Sequence, residues 1–207
     1  GQGDRPQLVI HSDEREEAMF VAQASARHVQ SGGKLEDLAV LFRQNAQSRV
    51  LEEAFSRARI PFLLVGGQRF YERAEVKDAL AYLRLLVHPV SEIDLLRIIN
   101  TPARGIGDKT IERLVAFARS RAVPLWDVAT GSLRVLQEAG LASGAADKVL
   151  GFSQMMRGLV DAAQTMAPPS VVQEVLARTG LLQALEDDGS VEAEGRVKNL
   201  EELLNAV

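Results

Sequence analysis

The sequence contains no cysteine and only three histidines among its 207 residues. Without cysteine the chain forms no disulfide and offers no thiolate to a metal, which fits a reducing compartment. His11, His28 and His88 are too widely separated to suggest a metal cluster. These absences exclude a disulfide-stapled fold and cysteine-based metal sites.

Long apolar runs and several well-known catalytic motifs are also missing. No apolar run is long enough to span a bilayer and no signal-peptide pattern opens the chain, so we expect a cytoplasmic protein without a membrane partner. The sequence has no G-x-x-x-x-G-K-[ST] phosphate loop, G-x-S-x-G nucleophile turn or H-E-x-x-H zinc helix. We therefore predict no catalytic residue, metal or cofactor in this chain, which disfavours an enzyme that works alone.

The overall charge limits how the chain could bind nucleic acid. Its net charge is -4, and its hydrophobic content of 46% is that of an ordinary globular protein. Domains that bind polyanions over a wide surface are usually basic. Any contact with nucleic acid is therefore expected at a local site.

The first part of the chain alternates between predicted strands and predicted helices. Apolar runs at residues 8–10, 38–42 and 61–65 predict three strands, each followed by small or apolar residues at helical spacing. Strands that are apolar throughout and separated by helices predict a parallel sheet covered on both faces. We therefore expect an α/β domain over residues 1–89.

After residue 89 the strand patterns stop and every periodic segment is helical. Glycine or proline separates the helical segments, so residues 90–207 are predicted to form an all-α unit. The helical pattern continues to the end of the sequence without a cap. We therefore expect the chain to be part of a longer protein.

A polar cluster follows the second predicted strand in the segment FRQNAQSR. Ligands of parallel sheets bind beyond the carboxyl ends of the strands. Arg43, Asn45, Ser48 and Arg49 stand there, at the start of a predicted helix, and suit a phosphate or a nucleotide edge. An ordinary loop with Ser48 as the helix N-cap explains the same residues equally well. Both interpretations stay open on chemistry alone.

A second candidate follows the third predicted strand in the segment RFYER, residues 69–73. Arg69 and Arg73 alternate with Phe70 and Tyr71, a pattern suited to phosphate contact combined with base stacking. Taken alone, the segment is better explained by a core phenylalanine and a paired Arg73.

The segment NTPARGIGDKT predicts a tight turn between two helices, a helix-hairpin-helix over residues 96–118. Two glycines around Ile106 allow the sharp bend, and Asp108 or Thr110 is expected to cap the second helix. The free N–H groups of that helix, with the nearby cations, make a phosphate-sized anion site that holds duplex backbone without reading sequence. The residues predicted to contact duplex DNA are Arg104, Gly105, Ile106, Gly107, Lys109 and Thr110.

A second glycine turn occurs in the segment EAGLASGAADKVL. Gly140, Gly144 and Lys148 resemble the first turn, but Ala142 stands where the first turn has its second glycine. An ordinary loop is the favoured interpretation here.

Residues 38–114 closely resemble the UvrD/PcrA/Rep family of superfamily-one DNA helicases. FRQNAQSR, RFYERAEVKD and RGIGDKT occur in the family's order and spacing, and the similarity continues more loosely to RVKNLEELLNAV. The resemblance implies the first half of the second RecA-like motor domain followed by its inserted helical subdomain. It also implies that Arg43 and Asn45 face single-stranded DNA and that RGIGDKT contacts the duplex. The full set predicted to contact single-stranded DNA is Arg43, Asn45, Ser48, Arg49, Arg69 and Arg73.

The resemblance also implies a function for the longer protein. That protein is expected to use ATP and magnesium to unwind DNA from the three-prime end in repair or replication. This chain lacks the ATP-binding motifs and is expected to be inactive alone. Its expected partners are DNA, the rest of the motor and DNA-repair proteins. The alternative is a regulatory protein-protein interaction module with little DNA affinity, which the acidic balance favours.

Overall fold

The computed structural model describes residues 5–43, 47–65 and 69–207. Helices provide the regular structure of these residues, and none of them lies in a β-strand. Contacts divide the chain into two compact units, Gly1–Arg73 and Ala74–Val207. The boundary predicted between domains at residues 1–89 and 90–207 stays a prediction.

The first unit is built on a pair of helices, α1 (Glu14–Gln30) and α2 (Ser48–Arg57). The Asp13 side chain caps α1 by accepting the backbone N–H groups of Arg15 and Glu16 at 2.9 and 2.8 Å. Short 3₁₀ turns form at Leu35–Asp37 and Phe70–Glu72. The residues buried between α1 and α2 are Ala18, Ala22, Val50, Ala54 and Phe55.

The predicted α/β architecture, with its partial RecA-like parallel sheet, is wrong for the described residues. The segments at 8–10, 38–42 and 61–65 run without strand pairing. Phe62 packs against the core of α1 and α2, whereas Leu41 and Leu63 are 94% and 85% exposed. An apolar run signals a preference for burial, but a strand also needs a neighbour that pairs with its backbone N–H and C=O groups. Local sequence does not supply that neighbour.

The second unit is entirely helical. The helical segments predicted after residue 90 are confirmed, and no described helix is long and apolar enough to cross a bilayer. Three short helices, α6, α7 and α10, were not predicted. The helices are α3 (Ala74–Val87), α4 (Glu92–Ile98), α5 (Asp108–Arg121), α6 (Leu125–Ala129), α7 (Leu133–Glu138), α8 (Ser143–Ala163), α9 (Pro168–Thr179), α10 (Leu181–Asp188) and α11 (Val191–Asn205).

Helix α3 lies at the centre of the second unit, in contact with α4, α8, α9 and α11. Its fully buried residues, Val76, Ala79, Ala81, Tyr82 and Leu85, are spread over more than half of its circumference. A helix that is buried on several sides is typical of the interior of a helical unit. The central position of α3 makes it the support for the helices that carry the candidate site.

An ion pair attaches α4 to α3. The Arg84 guanidinium donates to both carboxylate oxygens of Asp94, with Nη2 2.6 Å from Oδ1. The Ser91 hydroxyl donates to the same carboxylate at 2.7 Å. The Arg84 contact, together with the bond from Ser91, holds the pKa of Asp94 below its usual range. The carboxylate therefore stays charged and helps to hold α4 in place ahead of the turn at residues 99–107.

Candidate nucleic-acid interface

The first turn, residues 99–107, joins α4 to α5. The Asn100 side chain closes it, because its Oδ1 accepts the backbone N–H of Arg104 at 2.8 Å and that of Ile106 at 3.1 Å. Ile106 is only 1% exposed, so its side chain fills the space inside the turn. The sequence analysis missed Asn100, although asparagine commonly accepts backbone N–H groups in turns.

The two glycines of the first turn have different roles. Gly105 has φ +70°, a left-handed conformation that side chains disfavour, and an added Cβ would lie 2.7 Å from Lys148 Nζ. Gly107 has φ -79° and ψ 169°, which any residue adopts, and an added Cβ would meet nothing within 4 Å. The left-handed backbone at position 105 therefore favours glycine. At position 107 glycine only leaves the start of α5 open.

The start of α5 has no side-chain cap. Gly107 occupies the N-cap position, so the predicted capping by Asp108 or Thr110 is wrong. The Gly107 carbonyl accepts the N–H of Thr110 at 2.9 Å, in the usual geometry of a helix start. Asp108 and Lys109 are exposed and Thr110 is half-buried. An uncapped helix start carries partial positive charge and binds anions, and the Lys109 ammonium adds to that field.

Arg104 points into the protein rather than toward solvent. Its guanidinium donates to the carbonyls of Thr179 at 2.7 Å and Pro102 at 3.0 Å. It also lies 5.8 Å from the Tyr82 ring centroid and 5.9 Å from that of Phe152. Burial raises the pKa of Tyr82 to about 12, so its hydroxyl keeps its proton. These contacts tie the turn to α3, α8 and α9 and favour a structural role for Arg104.

A second turn, residues 139–142, repeats the backbone of the first between α7 and α8. Gly140 has φ +79°, the next residue Leu141 is 5% exposed, and Ala142 has φ -70° and ψ 157° at the N-cap of α8. Ala142 fits because that backbone conformation does not require glycine. The second turn therefore shares the backbone features of the first, and we call each turn with its two flanking helices a hairpin.

The two hairpins contact each other reciprocally. Arg113, six residues after Gly107, donates from Nη1 to the Gly140 carbonyl at 2.6 Å. Lys148, six residues after Ala142, lies against Gly105. The side-chain ammonium of Lys148, which is exposed, therefore stands beside the first turn. This second cation near the turn depends on the packing of α8 and was not assigned to the first turn from sequence.

Three of the residues predicted to contact single-stranded DNA, Ser48, Arg49 and Arg73, are buried in the first unit. The Ser48 hydroxyl donates to Glu52 Oε1 at 2.8 Å and accepts from Arg73 Nη2 at 2.8 Å. The Arg73 guanidinium also lies 5.4 Å from the Phe70 ring centroid. These contacts join α2 to the 3₁₀ turn that follows it in the first unit.

The buried Arg49 pairs through Nη1 with Glu53 Oε1 at 2.9 Å inside the unit. The remaining predicted single-strand contacts are Arg43, Asn45 and Arg69. Arg43 and Arg69 are exposed. Asn45 lies outside the described residues. Among the described residues predicted to contact single-stranded DNA, Arg43 and Arg69 are therefore the solvent-exposed ones.

Arg69 borders a cleft of about 430 Å³ beside α2, whose lining carries both carboxylates and guanidinium groups. Burial, and then the charge of Glu53, raises the pKa of Tyr71 in this cleft. The cleft is lined by Glu52, Glu53, Ser56, Arg57, Phe62, Arg69, Tyr71 and Glu72. No group of acidic or histidine side chains in the described part of the chain is arranged to hold a metal ion.

Comparison with known proteins identifies the family. Residues 1–139 match the UvrD-like helicase C-terminal domain. The chain is 36% identical over 203 residues to the ATP-dependent DNA helicase PcrA of Staphylococcus epidermidis, covering 98% of this chain and 27% of that protein. It is 36% identical over 192 residues to PcrA of Staphylococcus aureus, covering 93% of this chain and 26% of that protein. The chain therefore spans about a quarter of the length of these relatives, and it belongs to the UvrD-like helicase family.

Proposed function

We propose that this chain is the part of a DNA helicase that contacts duplex DNA, through the first turn and the start of α5. The observation that carries the proposal is the open, uncapped helix start at Gly107, where an added Cβ meets nothing within 4 Å. A phosphate can approach backbone N–H groups closely there. Lys109 on α5, and Lys148 on α8 beside Gly105, add positive charge near this helix start.

The proposed contact is to the DNA backbone rather than to the bases. Backbone N–H groups and lysine ammonium groups recognise phosphate oxygens, which carry no sequence information. Binding through them releases counterions, so the affinity should fall steeply as salt rises. Asp108, exposed on the first turn of α5, opposes the approach of a phosphate and limits the affinity of the single hairpin.

The longer protein is proposed to unwind DNA from the three-prime end by ATP hydrolysis, in repair or replication. The support is the similarity to proteins named ATP-dependent DNA helicase. ATP and magnesium would bind to parts of the longer protein that carry a phosphate loop, since this sequence contains none. Single-strand contact through Arg43 stays a prediction of the family resemblance.

A protein-protein interaction module is the second candidate function. An exposed apolar surface supports it, since Val87, Val90 and Ile93 are 72%, 69% and 84% exposed at the end of α3 and the start of α4. Adjacent exposed apolar residues commonly mark a protein contact. On this alternative the chain would bind DNA weakly or not at all.

The test is fluorescence anisotropy of the 207-residue chain with a tailed duplex, a blunt duplex and a single strand, each over a salt series. We expect both duplex probes to bind, with affinity that falls as salt rises. Gly107→Val should weaken duplex binding about tenfold, because its branched side chain blocks the N–H groups of α5. The fold should survive, since the φ and ψ of position 107 suit valine, although valine at this N-cap should lower the free energy of unfolding by about 1 kcal/mol.

The matched control is Gly195→Val, which adds the same side chain at an exposed, open position on α11. It should leave duplex affinity unchanged. A folded Gly107→Val protein with wild-type affinity would overturn the hairpin contact. Absence of DNA binding by the wild-type chain at low salt would overturn the proposed function and favour the protein-interaction module.

A further inference from the structure

The two glycine turns obtain their hydrogen-bond acceptors from different sources. In the second turn the N–H groups of Gly140 and Leu141 donate to the α7 carbonyls of Gln137 and Leu136, at 2.9 and 3.1 Å. This is the usual way in which a helix ends at a left-handed glycine. In the first turn the acceptor is the side-chain oxygen of Asn100. It accepts the N–H of Ile106, the residue that corresponds to Leu141, and the N–H of Arg104, the residue before Gly105.

We propose that Asn100 is a positioning residue for the duplex contact, an inference that rests on the proposed function. Its carboxamide oxygen holds residues 104–106 in place, and those residues lead directly into Gly107 and the start of α5. Asn100 is half-buried, and its carboxamide oxygen bonds inside the turn, to the N–H groups of Arg104 and Ile106 that precede the start of α5. It therefore acts on DNA binding through the shape of the turn.

The effect of removing the oxygen should be local. Two backbone N–H groups would lose their acceptor and would reach water only if the turn moved. Movement at Ile106 would displace its buried side chain and change the direction of the N–H groups that follow. Helices α4 and α5 keep their own packing, because the Arg84–Asp94 ion pair and the buried Leu114 do not depend on Asn100.

The test compares Asn100→Leu with a control at another structural asparagine of the same unit, Asn199→Leu. Asn199 Nδ2 donates to Glu75 Oε1 at 2.6 Å and joins α11 to α3. We expect Asn100→Leu to weaken duplex binding about tenfold and to speed hydrogen exchange at the Ile106 amide by a similar factor. Asn199→Leu should lower the melting temperature without either effect. Asn100→Asp should restore slow exchange, since a carboxylate keeps the acceptor.

Each outcome decides one of the two proposals. Unchanged exchange at Ile106 in Asn100→Leu would overturn the positioning role, as would an equal loss of duplex affinity in Asn199→Leu. If Asn100→Leu does not fold, Asn100→Ser takes its place, because the shorter side chain cannot reach both N–H groups. If the wild-type chain binds no duplex, the proposed function fails. The exchange measurement then still decides whether Asn100 holds the turn.

Discussion

The two hairpins of the second unit reach the same turn backbone through loops of different construction. The first turn is longer, closes on the Asn100 side chain and is anchored by the inward guanidinium of Arg104. The second is short and closes on carbonyls of its own helix α7. Each has a left-handed glycine followed by a buried apolar residue, Ile106 or Leu141. These two features define the turn, and the rest of the loop varies.

The hairpins differ more in what can approach them. The residue two positions after the left-handed glycine is Gly107 in the first hairpin and Ala142 in the second. The backbone there does not require glycine in either hairpin, and of the two only the first has it. Lys109 also lies among the opening residues of α5, whereas α8 begins with the uncharged residues Ser143, Gly144 and Ala145. Similar backbones therefore present different surfaces, and we assign the proposed duplex contact to the first hairpin for this reason.

The largest expected difference between the hairpins concerns their arginines. Arg104→Ala should lower the free energy of unfolding by about 3 kcal/mol, because it removes charge-assisted hydrogen bonds and ring contacts from a half-buried site. Arg113→Ala should lower it by less than about 1 kcal/mol, since a single bond to the Gly140 carbonyl is lost at an exposed position. Urea denaturation of both variants measures the difference. Equal effects would show that the first turn is not anchored more firmly than the second.

The stability that the Arg84–Asp94 ion pair gives to α4, the helix that enters the first turn, should depend on pH. The pKa of Asp94 is lowered by Arg84, so its stabilisation is present above the unfolded pKa and is lost as the pH falls through the folded value. Asp94→Asn should therefore cost about 1 kcal/mol at neutral pH and little well below pH 4. Denaturation at several pH values tests this. If the difference in the free energy of unfolding between the wild type and Asp94→Asn stays the same in acid, the effect comes from packing rather than from the ion pair.

The smallest expected difference is between the two left-handed glycines. Gly105→Ala and Gly140→Ala should each lower the free energy of unfolding by about 1 kcal/mol, because both positions have positive φ. The Lys148 ammonium near Gly105 is the flexible end of a side chain and can move away. Thermal denaturation of the two variants should give matching shifts. A much larger effect at Gly105 would mean that Lys148 is held in place there.

The helical second unit was predictable because its signals are local. Apolar residues at helical spacing and separating glycines or prolines lie close together in the chain, and they indicated the long helices. The short helices α6, α7 and α10 were not predicted. Helix α4 is as short, but the Ser91 side chain caps its start, and none of the other three begins with a side-chain cap. The sequence indicated the likeness of the second turn to the first, but an ordinary loop was favoured because Ala142 was taken to break a pattern that requires glycine only at the left-handed position.

The candidate site was only partly predictable, since side-chain direction is not a local property. Arg104 and Lys109 are similar cations close together in sequence, yet one points inward and the other is exposed. Ser48 and Arg73 suggested a DNA contact but bond to each other inside the first unit. The acceptors that decide these cases, such as the Thr179 carbonyl, stand far along the chain.

The sequence by itself determined the family, the long helices and the place of the first glycine turn, because each follows from residues near one another in the chain. Tertiary structure decided which cations face solvent, which residue closes the turn and whether the apolar runs pair as strands. The physical reason is that hydrogen-bond partners and burial depend on distant segments. The run at residues 61–65 has a strand's composition, yet without a pairing partner it does not form one.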